Sequence, residues 1–456
     1  MSRIHVIVAV LLPLMLFLWW TFPSLGWLWL FFGFVMLGYV VYVQQWVWSL
    51  FICLAFSLPL SVELSLVNNH KWFFPSEALL AVLAIALVFS MRKERLKTYD
   101  VWPLYWLFAF APGVLFSEYP IMSLKFMVVN AAYVFVFYYG IQFLIKNGNA
   151  IKPLFQVYSI ALVPVLLWAI WQFVGYELNP VTLPGIFKPF YNDHTVTGAV
   201  LAVLAGYFFA SGATDKRYYF LSALIILFVV MTGSRAALLS VAIMLMVYVA
   251  ITFAWMRRFA PFALVLMAFF VYTKRDVVTD FMTHNTSGSR EEALSERVKS
   301  SANVNTDASN IERLNRWSSA WNMFLERPHT GFGPGTYRFT YLPFQDKRYE
   351  NRLTVKNPDH PPQGSGGTAH SEIFLQLSEA GWLPTFVFLV MLGRWVFYGW
   401  RQAVNGHLAA IAGLLGLSTY LFHMNVNNFL TTDAFAFLFW GSAAAIMISV
   451  KQQANE

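Results

Sequence analysis

Apolar residues run through this chain in long blocks, interrupted by short polar caps. Each block is close to the length that crosses a hydrocarbon layer as a helix. The blocks fall at roughly 4–20, 25–43, 47–67, 76–91, 101–116, 121–145, 153–174, 195–210, 218–232, 236–255, 259–273, 371–399, 407–424 and 431–450. The pattern predicts an all-α polytopic membrane protein with about 12–14 transmembrane helices. Several blocks are short or broken by proline; Pro103 and Pro112 interrupt the fifth. The first block follows Met1-Ser2-Arg3 and lacks a small-x-small cleavage site, so it reads as a retained span rather than a signal peptide.

Composition strengthens this reading. Of 456 residues, 58% are hydrophobic and 12% charged, whereas soluble domains run near a quarter charged. The net charge of +8 does not point to nucleic acid, because the basic residues sit mostly in the caps between spans. Arg3, then Arg92, Lys93, Arg95 and Lys97, then Lys146 and Lys152, Lys216 and Arg217, Arg257 and Arg258, Arg401 and Lys451 all fall on one side of the predicted topology. The positive-inside rule makes that side cytoplasmic, with both termini on it. Trp19, Trp20, Trp27, Trp29, Trp46, Trp48, Trp72, Trp102 and Trp106 are expected in interfacial belts. The single cysteine, Cys53, excludes an intrachain disulfide and a multi-thiolate metal site.

Two segments are left on the outer side, 175–194 and 274–369. The organisation expected is an N-terminal bundle over 1–273, a large periplasmic helical loop over 274–369 and C-terminal helices over 370–456, forming one integrated membrane domain. Within the loop, Ser287 to Val304 reads as a solvated helix and Asn305 to Ala308 as a turn. Ser309 and Glu312 have capping-box spacing. Ile311, Leu314, Trp317, Trp321 and Phe324 recur at three and four, which predicts an amphipathic helix ended by Pro328. The stretch Gly331 to Tyr337 is a Gly-rich turn; it follows a helix and lacks a Lys-Ser/Thr, so it is no nucleotide loop. Asn357 to Thr368 is rich in Pro and Gly, and a helix then enters the membrane with His370, Phe374, Leu377 and Gly381 on one face. Gly381 would admit a neighbouring helix.

Chemistry is sparse and gathers in the outer segments. His370, at the start of a helix, is the candidate base. The helix N-terminus favours the neutral imidazole, which can take a proton from a hydroxyl; the plainer alternative is an interfacial, hydrogen-bonded histidine. Arg235, in the break Thr232 to Arg235, suits a phosphate group, the alternative being a snorkelling side chain. Lys188, Tyr191, Asn192, Asp193 and His194 form a further cluster, and Arg290, Arg297, Arg313 and Arg316 lie in the large loop. Some of these cations are candidates to grip phosphate, with a solvated face as the alternative; Lys125 is the weakest of them. The chain has no Asp-x-Asp and no His-Glu-x-x-His. A mechanism with neither metal nor cofactor is expected, with cations neutralising a leaving phosphate.

Three stretches resemble the O-antigen ligase and O-antigen polymerase superfamily. Arg235 to Leu239 is similar to an outer-face Arg-x-x-x-Leu motif, and Arg316-Trp317 through Pro328 to Gly335 to an Arg-Trp…Pro-x-x-Gly-x-Gly segment. His370-Ser371 with Gly381 is similar to a His-(Asn/Ser)-x9-Gly motif. The resemblance favours the ligase branch (WaaL-type) and implies a C-type glycosyltransferase fold in a Gram-negative inner membrane, with the active site at the periplasmic face. It implies a glycan donor linked to undecaprenyl pyrophosphate and a lipid A–core acceptor, with Arg235 on the donor pyrophosphate and His370 on the acceptor hydroxyl. An O-antigen polymerase and a protein O-oligosaccharyltransferase are the nearest alternatives, and a lipid-linked glycan flippase is the alternative of another class. Pro361 to Gly367 and Asn192-Asp193-His194 match none of these motifs.

Overall fold

The computed structural model describes residues 46–65, 71–92, 99–146, 150–253, 255–256, 311–349 and 367–455. The predicted spans 4–20, 25–43 and 259–273 lie outside the described residues, as do 287–308, Ser309, Arg290 and Arg297.

The chain is a helical bundle: α1 (Trp46–Ser57), α2 (Ser76–Met91), α3 (Trp102–Ala109), α4 (Ala111–Leu115), α5 (Pro120–Tyr133), α6 (Ile141–Lys146), α7 (Lys152–Gly175), α8 (His194–Ser211), α9 (Arg217–Met231) and α10 (Arg235–Thr252). After the undescribed stretch come α11 over 311–326, α12 (Tyr337–Thr340), α13 (Glu372–Ala380), α14 (Trp382–Val404), α15 (Leu408–Val426) and α16 (Asp433–Asn455). Seven described helices are long and apolar enough to cross a membrane, and four further apolar ones are shorter. This is an all-α polytopic membrane protein.

Small residues set the closest helix contacts. A side chain at Gly413 or Gly416 of α15 would strike Ser442 of α16, and one at Gly206 of α8 would press on Leu415. Where solvent drives no association, such close backbone approach holds membrane helices together. Trp106, Trp395, Trp440 and Tyr138 are fully buried beside this seam. Trp106 packs on Phe388 and Trp440 and donates its indole N–H to Gln376 at 3.1 Å. Trp106 and Trp48 are therefore core residues, not the belt residues expected, because neighbouring helices cover both.

The described basic caps gather at one end of the bundle. Lys451 donates to Gln142 at 2.9 Å and lies over the Tyr99 ring. Lys152 lies over Tyr218, one residue past Arg217, and Gln402, beside Arg401, bonds Gln453 near the end of α16. The starts of α8, α10, α13 and α16 lie at the opposite end: Gly198 faces Ser234, Ser371 donates to Met424 O near the end of α15, and Tyr158 bonds both Tyr191 and Ala434 O.

Three elements differ from the sequence pattern. The block 47–67 is not one span: α1 stops at Ser57, a 3-10 turn covers Leu58–Leu60, and an antiparallel hairpin follows. There β1 (Val62–Ser65) pairs with β2 (Lys71–Phe74), Val62 opposite Phe74. Pro59 cannot continue the helix, and Val62 and Phe74 are buried while Glu63 accepts a bond from Asn192 Nδ2 at 2.7 Å.

The block 371–399 is two helices. Gly381 has φ +83° and breaks the chain between α13 and α14. A Cβ there would meet the backbone of Pro328 and His329, so its close neighbour is a loop and not another helix.

The third difference is the face of α11. Asn315, Arg316, Ser319, Ala320 and Met323 are buried, while Trp321 from the predicted apolar stripe is 45% exposed. The inner face is thus mixed, and its polar residues have partners there. Asn315 donates to Tyr349 O at 3.2 Å and accepts from the Asp346 N–H at the same distance.

Candidate functional site

His370 precedes the helix start; it is not within it. Ser371 is the N-cap of α13, accepting from the Phe374 N–H at 3.4 Å and donating to Met424 O at 3.2 Å. His370 itself has φ +49°, the left-handed region, which costs an L-residue about 1 kcal/mol. Its neighbours hold it there. Trp317 Nε1 donates to the His370 carbonyl at 3.2 Å, and the His370 N–H points to Thr368 Oγ1 at 3.4 Å. Thr368 is bonded in turn to Asn428, just past α15. Backbone outliers fixed in this way cluster at functional sites. The ring stays 30% exposed, so it is reachable.

A charged row from α11 faces this ring. His370 Nε2 lies 3.9 Å from Glu312 Oε1, and the same oxygen lies 3.5 Å from Arg316 Nη2. Burial alone would raise the Glu312 carboxyl, but the His370 ring and the Arg316 guanidinium outweigh it and hold the group below its usual range. Arg316 is only 2% exposed; its guanidinium stacks on the Tyr341 ring at 4.3 Å, and its carbonyl accepts from Tyr337 Oη at 2.8 Å. Gly367, φ +90°, lets the strand leading to His370 pass directly against that guanidinium. Arg313, one turn before Arg316, is close enough to Glu312, Asp193 and His194 for the charges to act on one another. Through it the loop before α8 joins the site.

The Gly-rich turn is the clamp that sets α11 against α13. Glu379 of α13 accepts from the Gly335 N–H at 2.9 Å and from the Tyr337 N–H at 2.8 Å. The Gly333 N–H donates to Glu379 O and the Phe332 N–H to Ser378 O, while Trp382 N–H returns to Pro328 O. Gly331, φ +61°, lies against the Glu379–Ala380 backbone where no side chain fits. The turn thus brings backbone close to a neighbour and places His370 relative to the Arg316-Trp317 pair.

Arg235 is the first residue of α10, exposed, after Gly233 at φ +67° and the N-cap Ser234. The α10 start packs against α8: a Cβ on Gly198 would touch Ala237 and Ser234. Gly198 is one turn from His194, so Arg235 and His194 stand at the same end of the bundle.

The sequence-derived candidates therefore divide. His370, Arg316 and Arg313 come together, with Asp193 and His194 beside them. Lys188 is exposed, and its carbonyl accepts from Trp168 Nε1. Tyr191 does not present its hydroxyl to this site: it is buried and bonded to Tyr158 Oη at 3.2 Å, which makes it a packing residue. Lys125 is exposed and close enough to Glu77 for the charges to act on one another. Arg290 lies outside the described residues. Glu312 was missed as a site residue because capping-box spacing explained it; its signal was Arg316 four residues on.

Among the described residues no three His, Cys, Asp or Glu side chains stand together as a metal site. The arrangement offers a reachable imidazole beside a carboxylate, with guanidinium groups around them. That set can take a proton from a hydroxyl and neutralise a phosphate.

Residues 220–389 match a family model described as O-antigen ligase. The matched stretch runs from α9 into α14 and includes Arg235, Arg316, the Gly-rich turn and His370. The match supports the O-antigen ligase superfamily, to which the three motifs are similar. No curated protein matches the chain.

Proposed function

We propose, taking the similarity of 220–389 to O-antigen ligases as the premise, that this protein transfers a glycan from undecaprenyl pyrophosphate to lipid A–core at the periplasmic face of a bacterial inner membrane. The observation that carries the reading is the convergence of His370 with Arg316 and Arg313 around Glu312, at the bundle end that also holds Arg235.

The chemistry is a single displacement with inversion. The acceptor oxygen forms a bond to the anomeric carbon, the bond from that carbon to the phosphate oxygen breaks, and undecaprenyl pyrophosphate leaves with the electron pair. The acceptor proton passes to His370. Arg235 binds the donor pyrophosphate, and Arg313 and Arg316 offset the charge that develops on it. Lys188 and His194 border the same end and are further contacts for donor or acceptor. The displaced bond is already activated in the donor, so the reaction needs no nucleotide.

A flippase places its ionisable groups near the bilayer midplane. Here the candidate groups His370, Arg313, Arg316 and Arg235 gather at one end, which favours surface chemistry. The test is transfer by the purified, reconstituted protein offered lipid A–core, a lipid-linked repeat unit or a Ser-rich protein. Transfer to lipid A–core supports the ligase reading. Transfer to the lipid-linked unit alone makes the protein a polymerase, and transfer to the protein alone makes it a protein glycosyltransferase.

A further inference from the structure

The pairing of Glu312 with His370 deepens the proposed reaction and rests on it. Of the two ring nitrogens, Nε2 is turned toward the Glu312 carboxylate at 3.9 Å. The backbone of His370 is fixed from three sides, by Trp317, by Thr368 and by the Ser371 cap. The ring direction is therefore set by two residues of one helix, Glu312 through its charge and Trp317 through the main chain. Glu312 is itself steadied by Arg316 at 3.5 Å, and Arg316 is locked on Tyr341. An imidazole is most useful as a base when a fixed acceptor holds one nitrogen in its N–H form and leaves the other with a lone pair.

We infer that Glu312 is the positioning carboxylate of His370: it holds Nε2–H, so that Nδ1 takes the acceptor proton, and it stabilises the imidazolium that forms. In the step, the hydroxyl O–H bond breaks and its proton goes to Nδ1. The oxygen pair forms the new glycosidic bond, and the electron pair of the old one leaves on the pyrophosphate. Glu312 stays ionised throughout. The gap of 3.9 Å closes to hydrogen-bond length when acceptor fills the site, since such bonds are often long in the unliganded state. Among the described residues, the charged and titratable groups around His370 are Glu312 and Arg316 of α11, with Arg313, Asp193 and His194 beyond them.

The test uses the full chain in liposomes, with the undecaprenyl-pyrophosphate-linked glycan as donor and lipid A–core as acceptor. Glu312→Gln keeps the shape of the side chain and removes its charge. Its kcat is expected to fall roughly 100-fold, with donor KM nearly unchanged. The acid limb of its pH–rate profile should move to lower pH, because a carboxamide no longer stabilises the positive ring. Glu312→Asp should recover part of the rate and most of the limb. In a His370→Ala background, Glu312→Gln should cost nothing more.

A wild-type kcat and an unmoved limb in Glu312→Gln would overturn the inference. So would a loss confined to donor KM, which would place the action in Arg316, or an Asp variant as slow and as shifted as the Gln one. Full turnover by His370→Ala would overturn the role of His370 and the inference with it, whereas no transfer by the wild-type protein to any acceptor offered would instead overturn the transfer reading beneath it.

Discussion

Trp317 donates its indole N–H to the carbonyl of His370 at 3.2 Å, and this bond joins two elements 53 residues apart in the chain. It explains how a residue in the left-handed region keeps one orientation just before the start of α13. Trp317→Phe keeps the ring contact with Phe374 and removes only the donor. One hydrogen bond is worth about 0.5–1.5 kcal/mol, so transfer should fall by a factor of roughly 2 to 10, seen in kcat. An unchanged kcat would mean that the other contacts of His370 suffice.

The clamp between Glu379 and the Gly-rich turn has a different signature. Glu379→Ala leaves the Gly335 and Tyr337 N–H groups without their acceptor in a buried place. The expected cost is about 2–4 kcal/mol of stability, together with loss of transfer. Thermal unfolding in detergent reads it directly. A variant that melts with the wild type would show that the turn is held by its main-chain bonds alone.

Arg235 and Arg316 should separate cleanly. Arg235 is exposed, so Arg235→Ala should fold normally and bind the lipid-linked donor roughly 10- to 100-fold more weakly. Arg316 is buried against Tyr341 and Glu312, so Arg316→Ala should lose stability as well as activity. Equilibrium donor binding beside a melting curve distinguishes them. Unchanged donor affinity in Arg235→Ala would return that residue to a snorkelling role.

Glu312 carries a pH dependence of definite sign. Its folded value lies below the ordinary 4.5. Its contribution to stability is therefore present above that pH and is lost as pH falls through the depressed folded value. The melting difference between wild type and Glu312→Gln should be full at neutral pH, about 1 kcal/mol for a partly exposed pair. It should vanish in acid. A difference that grows on acidification would contradict the pairing with His370 and Arg316.

Much of the membrane architecture was legible because it depends on local pattern. Apolar block length and basic caps such as Lys152 and Lys451 follow from the bilayer and the charge rule, and the described caps do gather at one end. What escaped depends on distant partners. Gly381 was read as a helix-packing glycine, but the Pro328–His329 backbone, far away in sequence, makes it a chain break. The apolar stripe of α11 predicts an amphipathic helix, yet Asn315 and Arg316 find partners on the inner side and Trp321 faces out. Tyr191 lay in the right loop and turned into the core toward Tyr158. His370, Arg316 and Arg313 were legible as chemistry, whereas the carboxylate between them was hidden behind a capping pattern.

The most direct measurement is donor binding and glycan transfer by His370→Ala in the same liposomes. The variant is expected to bind the undecaprenyl-pyrophosphate-linked glycan as the wild type does and to transfer none of it to lipid A–core. Transfer at the wild-type rate would contradict the account.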